Sequence, residues 1–487
     1  MVKSKPICEY EKKYDNRIKK VEEKFKCPDE AIGSGFCILH DPTYLDKATA
    51  EEVTKVFMKK VHKAIATKKP LLAIGYNLPS INISATFEAP VYFNYTTFNG
   101  TVLFEKTKFN YDANFVNTLF IDNTSFTGSQ FSQIANFIEC KFKNEVTFLA
   151  TDFKNEARFN LAEFQKGLFS LAHFQKVNFF EAKFYDESEF KLTKFHDTAL
   201  FQKSQFYTTD FTEAKFEKEA RFIENQFYAQ ANFRKIKFTN SGDILFDGNL
   251  SKLSFLETDI SKINFGDNIG WERVYRKPMD WWDKFIIFCE KLKEHNNKFK
   301  VQDERIIENK LEQNVRLETV MNIYRNLQEN FDKKLNYDFA GEFFVREMEL
   351  KRKFKKNTRN MSKPNEPLTT HKNILAQIFS VLSFYYVIAK YGESYYRPLK
   401  FVIPGLIFST FYFWSSGFNV INLVFQSGFG SEAMNNAIIR SISAFFPFYV
   451  FSSHNALSDL LLRIALLPLL GALFISLRRK LERKYRH

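Results

Sequence analysis

Three of the five cysteines and one of the eight histidines fall within the first forty residues, as Cys8, Cys27, Cys37 and His40. Thiolates and a neutral imidazole are the ligands of tetrahedral zinc, and the Cys37-Ile-Leu-His40 spacing suits two ligands donated from one tight turn. Four protein ligands leave no open coordination position, so the chemistry expected of a Cys3His set is structural rather than catalytic. The charged stretch between Cys8 and Cys27 reads as helix-like. The alternative is a set of reduced cysteines packed in a cap. A second group lies near the C-terminus, where Ser441 and Ser443 stand beside Phe445 and Phe446 in an apolar stretch. Hydroxyls and phenyl rings in that setting suit the lining and the dewetting gate of an ion path. Motifs for phosphate-binding loops, nucleophile elbows and zinc hydrolases are absent, and no enzymatic activity is expected.

The N-terminal segment resembles small Cys/His zinc modules that end in an aromatic residue and Cys-x-x-His. Residues 48–67 carry Val, Phe and Ile at helical spacing and are expected to form an amphipathic helix that covers the open end of the adjoining domain, with His62 on its surface. Together these features make 1–78 a cap region.

From Phe87 to Phe265 phenylalanine returns every fifth or sixth residue. Neither a helix, at 3.6 residues per turn, nor a strand, at 2.0, has this period, so it marks a repeat architecture. A small residue recurs two positions before many of these rings: Ala157, Ala162, Ala172, Ala182, Ala214 and Ala231. Two residues apart on extended backbone means the same side. Each unit therefore turns a small residue and a Phe inward and leaves polar residues outside. Four units close a square coil, about eight coils stack at about 4.8 Å, and the six-residue steps are corners with one extra residue, like bulges. The run Phe211-Thr-Glu-Ala-Lys-Phe216-Glu-Lys-Glu-Ala-Arg-Phe222 is similar to the pentapeptide-repeat family. The resemblance implies a right-handed quadrilateral β-helix over 79–268.

Beyond Phe265 the rhythm stops. Trp271, Trp281 and Trp282 are expected to cover the far end of the rod, and 269–360 reads as three or four charged helices forming a cytoplasmic connector. One runs from Arg316 to Leu335 with Val320, Ile323, Tyr324 and Leu327 on one face. The next runs from Tyr337 to Phe354 with Ala340, Phe343, Phe344 and Leu350 inward and Arg346, Glu347 and Glu349 around them. This pair resembles a helical hairpin that joins repeat domains to membrane pores. Residues 361–397 comprise a polar hinge and an interfacial helix from Asn373 to Ala389. In 398–487, Leu399–Phe425 and Leu457–Leu477 read as membrane spans, with an apolar, Pro-broken stretch from Ala433 to Phe451 between them that suits a re-entrant helix. This layout, with Tyr391-Gly-Glu-Ser-Tyr before the first span, resembles the two-transmembrane potassium-channel-like module. The family's Thr-Val-Gly-Tyr-Gly filter is absent, and Gly428-Phe429-Gly430 reads as a turn, so no ion selectivity carries over.

The formal charge is +14, and acids slightly outnumber bases in the coil region, so the positive excess lies in the flanks. Acids and bases interleave without an aromatic platform, which argues against a nucleic-acid partner. Few cysteines and no apolar leader point to reducing surroundings. Basic residues flank the spans, placing both termini in the cytoplasm and the chain in the cell membrane. The leading expectation is an ion channel or channel-like homotetramer in the lipid bilayer, with a protein partner on the β-helix. The alternatives are a non-conducting membrane-anchored scaffold and, less favoured, a DNA-mimic topoisomerase inhibitor.

Overall fold

The structure is a computed structural model. It describes residues 6–16, 21–31, 35–43, 49–239, 243–266, 269–270, 273–275, 297–299, 317–354, 385, 388–393, 396–416, 467–479 and 481. The chain divides into two compact units, Met1–Glu272 with Lys300–Asn326, and Arg273–Phe299 with Leu327–His487.

In the first unit, short parallel strands from Leu71 to Phe265 wind into a β-solenoid of about nine turns, one more than the expected eight. Four rows of rings fill it. Phe109, Phe131 and Phe153 share one register, and Phe120, Phe142 and Phe164 another. Phe115, Phe137 and Phe159 stack in a third row, and Phe126, Phe148 and Phe169 in a fourth. Within a row the rings lie parallel, as for Phe137 and Phe159 at 5.0 Å and 7°. Between rows they meet edge to face, as for Phe148 and Phe159 at 5.4 Å and 79°. Both are arrangements that the ring quadrupole favours. Ala157, Ala162, Ala172, Ala182, Ala214 and Ala231 are all fully buried beside them, as the repeat pattern requires. Each buried Phe contributes about 1.5–3 kcal/mol.

The corners are of two kinds. After the rings of two rows the chain turns through a left-handed residue, for example Asn117 (φ 55°), Leu161 (φ 58°) and Lys203 (φ 56°), and the turn closes with bonds such as Thr118 N–H to the Phe115 carbonyl at 3.1 Å. This is the geometry of a type II turn. Among the described residues of the solenoid, none of the non-glycine residues that take this conformation is β-branched, the side-chain class least able to adopt it. At the other two corners the register slips. Phe142 and Glu145 pair with Phe164 and Lys166, and Phe153 and Glu156 with Phe174 and Lys176. The six-residue steps are thus bulges, as expected.

Behind the left-handed turns runs a ladder of small donors. Thr118, Thr151, Thr193, Ser204 and Thr258 give their hydroxyls to the carbonyls of Phe93, Phe126, Phe169, Phe179 and Phe233 on the preceding coil at 2.6–2.8 Å. Cys140 occupies one rung, its Sγ donating to the Phe115 carbonyl at 2.7 Å, and burial pushes its thiol pKa up. It is a structural surrogate for serine. Cys140→Ser is therefore expected to change stability by less than about 1 kcal/mol, whereas Cys140→Leu is expected to cost about 1–3 kcal/mol by overpacking. Urea denaturation of the two variants compares them, and a large loss on Cys140→Ser would contradict the surrogate role.

Helix α1 (Ala50–Thr67) seals the start of the rod, as expected. Val53, Phe57, Val61 and Ala64 are buried, and the Phe57 ring meets Tyr76 and Phe93 edge-on at 6.3 Å each. His62 is exposed.

In the second unit, Arg273–Tyr275 pairs antiparallel with Asn297–Phe299, so the connector is not wholly helical. Helix α2 (Leu317–Lys333), which runs across the division between Asn326 and Leu327, leads through a turn at Leu335 (φ 62°) to α3 (Tyr337–Phe354), close to the expected hairpin. Phe331 packs on Phe339 and Phe343 at 5.4 and 5.5 Å. Arg346, Glu347 and Glu349 are buried rather than solvated. The burial is tolerated because Arg346 pairs with Glu349, and Glu347 with Lys351, each at 2.8 Å. The Tyr391-Gly-Glu segment is a junction. Tyr391 is fully buried with Val345, Phe344, Met348 and Tyr385, and Lys390, Tyr391 and Gly392 are all left-handed. Arg479 donates to the Tyr391 carbonyl at 2.9 Å and to Glu393 at 3.2 Å, and Lys390 pairs with Glu342 at 2.8 Å.

Helix α4 (Tyr396–Ser416) begins before the expected first span and carries Arg397, Lys400 and an internal Pro404. Among the described residues, no helix is long and apolar enough to cross a membrane. Of the second expected span, residues 467–477 are helical, within a helix that runs on to 479, and Leu469 and Leu470, like Leu406 of α4, pack on Val402. Trp271, Trp281 and Trp282, most of the Asn373–Ala389 segment, Gly428-Phe429-Gly430 and the Ala433–Phe451 stretch lie outside the described residues.

Candidate metal centre

The segment between Cys8 and Cys27 is a β-hairpin, not the expected helix. Strand β1 (Glu11–Asn16) pairs antiparallel with β2 (Val21–Lys26), with Glu11 opposite Lys26 and Asn16 opposite Val21. The ladder continues past the strands, through Cys27 N–H to the Tyr10 carbonyl at 3.1 Å and Cys8 N–H to the Asp29 carbonyl at 2.9 Å. A hairpin carries the residues just outside its open end to one place, so a long loop in sequence becomes a short distance in space. Cys37 and His40 come from a tight turn, closed by His40 N–H and Asp41 N–H to the Cys37 carbonyl at 3.0 and 3.1 Å.

These elements bring Cys8, Cys27, Cys37 and His40 together, all four buried, with their ligand atoms within 4.8 Å of one another. Cys27 Sγ lies 3.8 Å from Cys37 Sγ, and Cys8 Sγ lies 3.6 Å from His40 Nδ1. A tetrahedron with metal–sulfur bonds of about 2.3 Å and metal–nitrogen bonds of about 2.0–2.1 Å has edges of about 3.8 and 3.5 Å. Those two edges match, while Cys37 Sγ and His40 Nδ1 sit tighter, at 3.1 Å. The sulfurs are far beyond the roughly 2.05 Å of a disulfide.

The orientation of the imidazole supports the same reading. His40 Nε2 lies 2.9 Å from the Ile74 carbonyl, which accepts only a proton-bearing nitrogen. The Nδ1 lone pair is thereby turned toward the three sulfurs, the arrangement that a metal-ligating histidine needs. The ring is also clamped, stacked on Tyr10 at 3.9 Å and met edge-on by Tyr76 at 4.9 Å. Burial pushes the Tyr10 phenol up to about 12. The hydrogen bond from Cys27, with help from His40, holds the Cys37 thiol down to about 4. The same bond pushes Cys27 up, and burial pushes Cys8 up. The cluster by itself thus favours one thiolate, and a bound cation is what would let all three cysteines ionise. Asp29 Oδ2 lies 3.6 Å from Cys27 Sγ, and Asp29 pairs with Lys60 of α1 at 2.6 Å, which ties the centre to the cap helix.

The four ligands carry a sequence signature; their supports do not. Tyr10, Asp29 and Lys60 are ordinary surface residue types, and a backbone carbonyl such as that of Ile74 has no signature. Ser441, Ser443, Phe445 and Phe446, the expected pore-lining or gate residues, lie outside the described residues.

No curated protein matches the chain. The family described as pentapeptide repeats (9 copies) matches residues 83–130 and 126–173, within the solenoid and short of the C-terminal region. The rod on which this centre sits has inward Phe and Ala and four-sided turns, and over residues 83–173 it is similar to the pentapeptide-repeat family.

Proposed function

We propose that this chain is a non-enzymatic interaction scaffold: a pentapeptide-repeat rod, sealed at its N-terminal end by a structural zinc centre, that presents its polar faces to a protein partner. The observation that carries this reading is the closed Cys3His set on the cap, with two edges near those of a zinc tetrahedron and Nδ1 aimed inward. Zinc fits because three thiolates and one imidazole are its preferred structural donors. When bound it supplies cross-linking free energy, not reactivity. The outward faces are stitched by exposed ion pairs such as Lys166 with Glu145 and Glu187 at 3.2 and 3.5 Å, which add little stability and leave a flat, charged surface. The test is metal content: full-length protein should hold one zinc per chain by elemental analysis, and absence of zinc would defeat the reading. Protons compete for the ligands, so retention should fall as the pH is lowered, most directly through Cys8 and Cys27, whose thiols are already held up.

The scaffold is held at a lipid bilayer in this proposal. Ile403, Ile407, Phe408 and Phe411 recur at helical spacing on α4, and all are exposed, Phe408 by 70%. Phe474 and Ile475 on the 467–479 helix are exposed as well, next to the basic Arg478 and Arg479. An apolar stripe beside cationic residues suits an anionic membrane surface. Flotation with phosphatidylserine-containing liposomes tests this, and protein that stays in the aqueous fraction would refute it. A second reading, a homotetrameric ion channel, is favoured by the packing of two apolar helices through Val402, Leu406, Leu469 and Leu470. Flat current traces from tetramers in planar bilayers would dismiss it.

A further inference from the structure

We propose that a strip of outward tyrosines on the solenoid, Tyr185, Tyr207 and Tyr228, docks a proline-rich segment of a partner protein in the polyproline II conformation, with a basic residue of that segment beside Asp186. The inference rests on the scaffold reading above and deepens it by naming the chemistry of the partner.

The tyrosines occupy one place on successive coils. Each directly follows a ring of one inward row, Phe184, Phe206 or Phe227, and those rings pair coil to coil. Extended backbone alternates sides, so the residue after an inward Phe faces outward. Tyr185, Tyr207 and Tyr228 are exposed by 50%, 52% and 56%, whereas the preceding coils hold Lys143 and Gln165 at the same position. Inside the rod Phe184 stacks on Phe206 at 4.9 Å, and Phe206 on Phe227 at 5.4 Å. Outside, among the described residues, none of the tyrosine rings packs on another ring, so their faces stay open. Tyr228 gives its hydroxyl to Gln226 at 2.7 Å. The hydroxyls of Tyr185 and Tyr207 have no protein partner among the described residues.

The spacing selects the occupant. Coils repeat at about 4.8 Å, so the outer two tyrosines stand about 9.6 Å apart. A polyproline II helix advances about 3.1 Å per residue and about 9.3 Å per turn, so residues i and i+3 fall over those two rings to within about 0.3 Å. Two turns of an α-helix advance about 10.8 Å and miss by about 1.2 Å. A β-strand needs a free sheet edge, and the coils of the strip are already paired with one another. Polyproline II makes no internal hydrogen bonds. Its carbonyls are therefore available to the Tyr185 and Tyr207 hydroxyls, while its prolyl rings lie on open aromatic faces. The charge along the strip is one-sided. Asp186 follows Tyr185, is exposed, and takes part in no ion pair among the described residues, whereas Thr208 and Ala229 follow the other two rings. A lysine or arginine of the ligand beside Asp186 sets the direction in which the segment lies.

The probe is a fluorescent peptide of Pro-x-x-Pro units flanked by arginines, titrated into the full-length chain and read by anisotropy, beside a glycine-serine peptide with the same arginines. Saturable binding of the proline peptide alone is expected. Tyr207→Thr, which keeps a strand-compatible residue on the surface, should weaken binding about tenfold with the unfolding midpoint unchanged. Asp186→Asn should weaken the arginine-flanked peptide and leave an alanine-flanked one unaffected. Absence of binding, equal binding of the glycine-serine peptide, or binding that Tyr207→Thr does not change overturns the inference. An oligosaccharide that binds in place of the peptide and is lost in Tyr207→Thr assigns the strip to glycans and overturns it too. If the chain holds one zinc and ignores the peptide, the inference fails and the scaffold reading stands. If it holds no zinc, the scaffold reading fails and the peptide titration alone decides the strip.

Discussion

Replacing Cys37 with serine is expected to abolish metal binding and release the N-terminal cap while leaving the rod folded. Cys37 is the hub of the centre. Its Sγ lies 3.8 Å from Cys27 Sγ and 3.1 Å from His40 Nδ1, and its backbone N–H donates to Cys8 Sγ at 3.2 Å. Its thiol is also the one already held low, so it is the ligand most ready to ionise. A serine hydroxyl does not ionise in the physiological range and is a poor ligand for zinc, leaving three donors and an open position. Structural zinc contributes about 10–16 kcal/mol in small peptides, so loss of one ligand should drop the zinc content from one per chain toward none. The damage should stay local because solenoid coils contact only their neighbours. Hydrogen exchange should show fast exchange through the 6–43 region and α1 with protection retained around Phe148 and Phe159. Retained stoichiometric zinc would count against the Cys3His assignment.

The second large effect belongs to the middle of the ring ladder. Phe159 is fully buried, stacked between Phe137 at 5.0 Å and Phe179 at 4.8 Å, with Phe148 and Phe169 edge-on at 5.4 and 5.6 Å. Its neighbours are themselves held in register by the coils above and below, so they cannot collapse into the space. Phe159→Ala is expected to cost about 3–5 kcal/mol. Phe87 begins its row and stacks on Phe109 at 5.5 Å on one side. Phe87→Ala should cost roughly half as much, near the lower end of the large-to-small range. Denaturant titration of the two variants, read by the same probe, decides the matter. Equal losses would mean that rings do not couple along a row.

The rod could be read from the residues because one side-chain class repeats without interruption, and a buried face tolerates little else. Ala157 through Ala231 and the bulged six-residue corners were legible for that reason. The left-handed corners were not, because Tyr95, Lys106, Leu161 and Glu213 have no turn signature. Their conformation is imposed by the coils that sandwich them. In the cap, Cys37-x-x-His40 and α1 were visible, but the hairpin was hidden. Lys12, Lys13, Glu22, Glu23 and Lys24 mask the two-residue alternation, and only the pairing register reveals it. Burial of Arg346, Glu347 and Glu349 was likewise unreadable, since a charged side chain looks solvated until the partner one helical turn away is in place.

The two kinds of corner alternate around the square, so each kind occupies a pair of opposite edges along the whole rod. From Phe93 to Phe233 the edges built from left-handed turns keep a five-residue step, because one more residue would break the closing bond, and the edge shortens by one residue beside Gly248. The bulged edges already switch between five- and six-residue steps, as from Phe142 to Phe148 and from Phe164 to Phe169, while the rings stay in line. Insertions, tags or grafted loops should therefore be accepted along two diagonal seams of this protein and rejected along the other two.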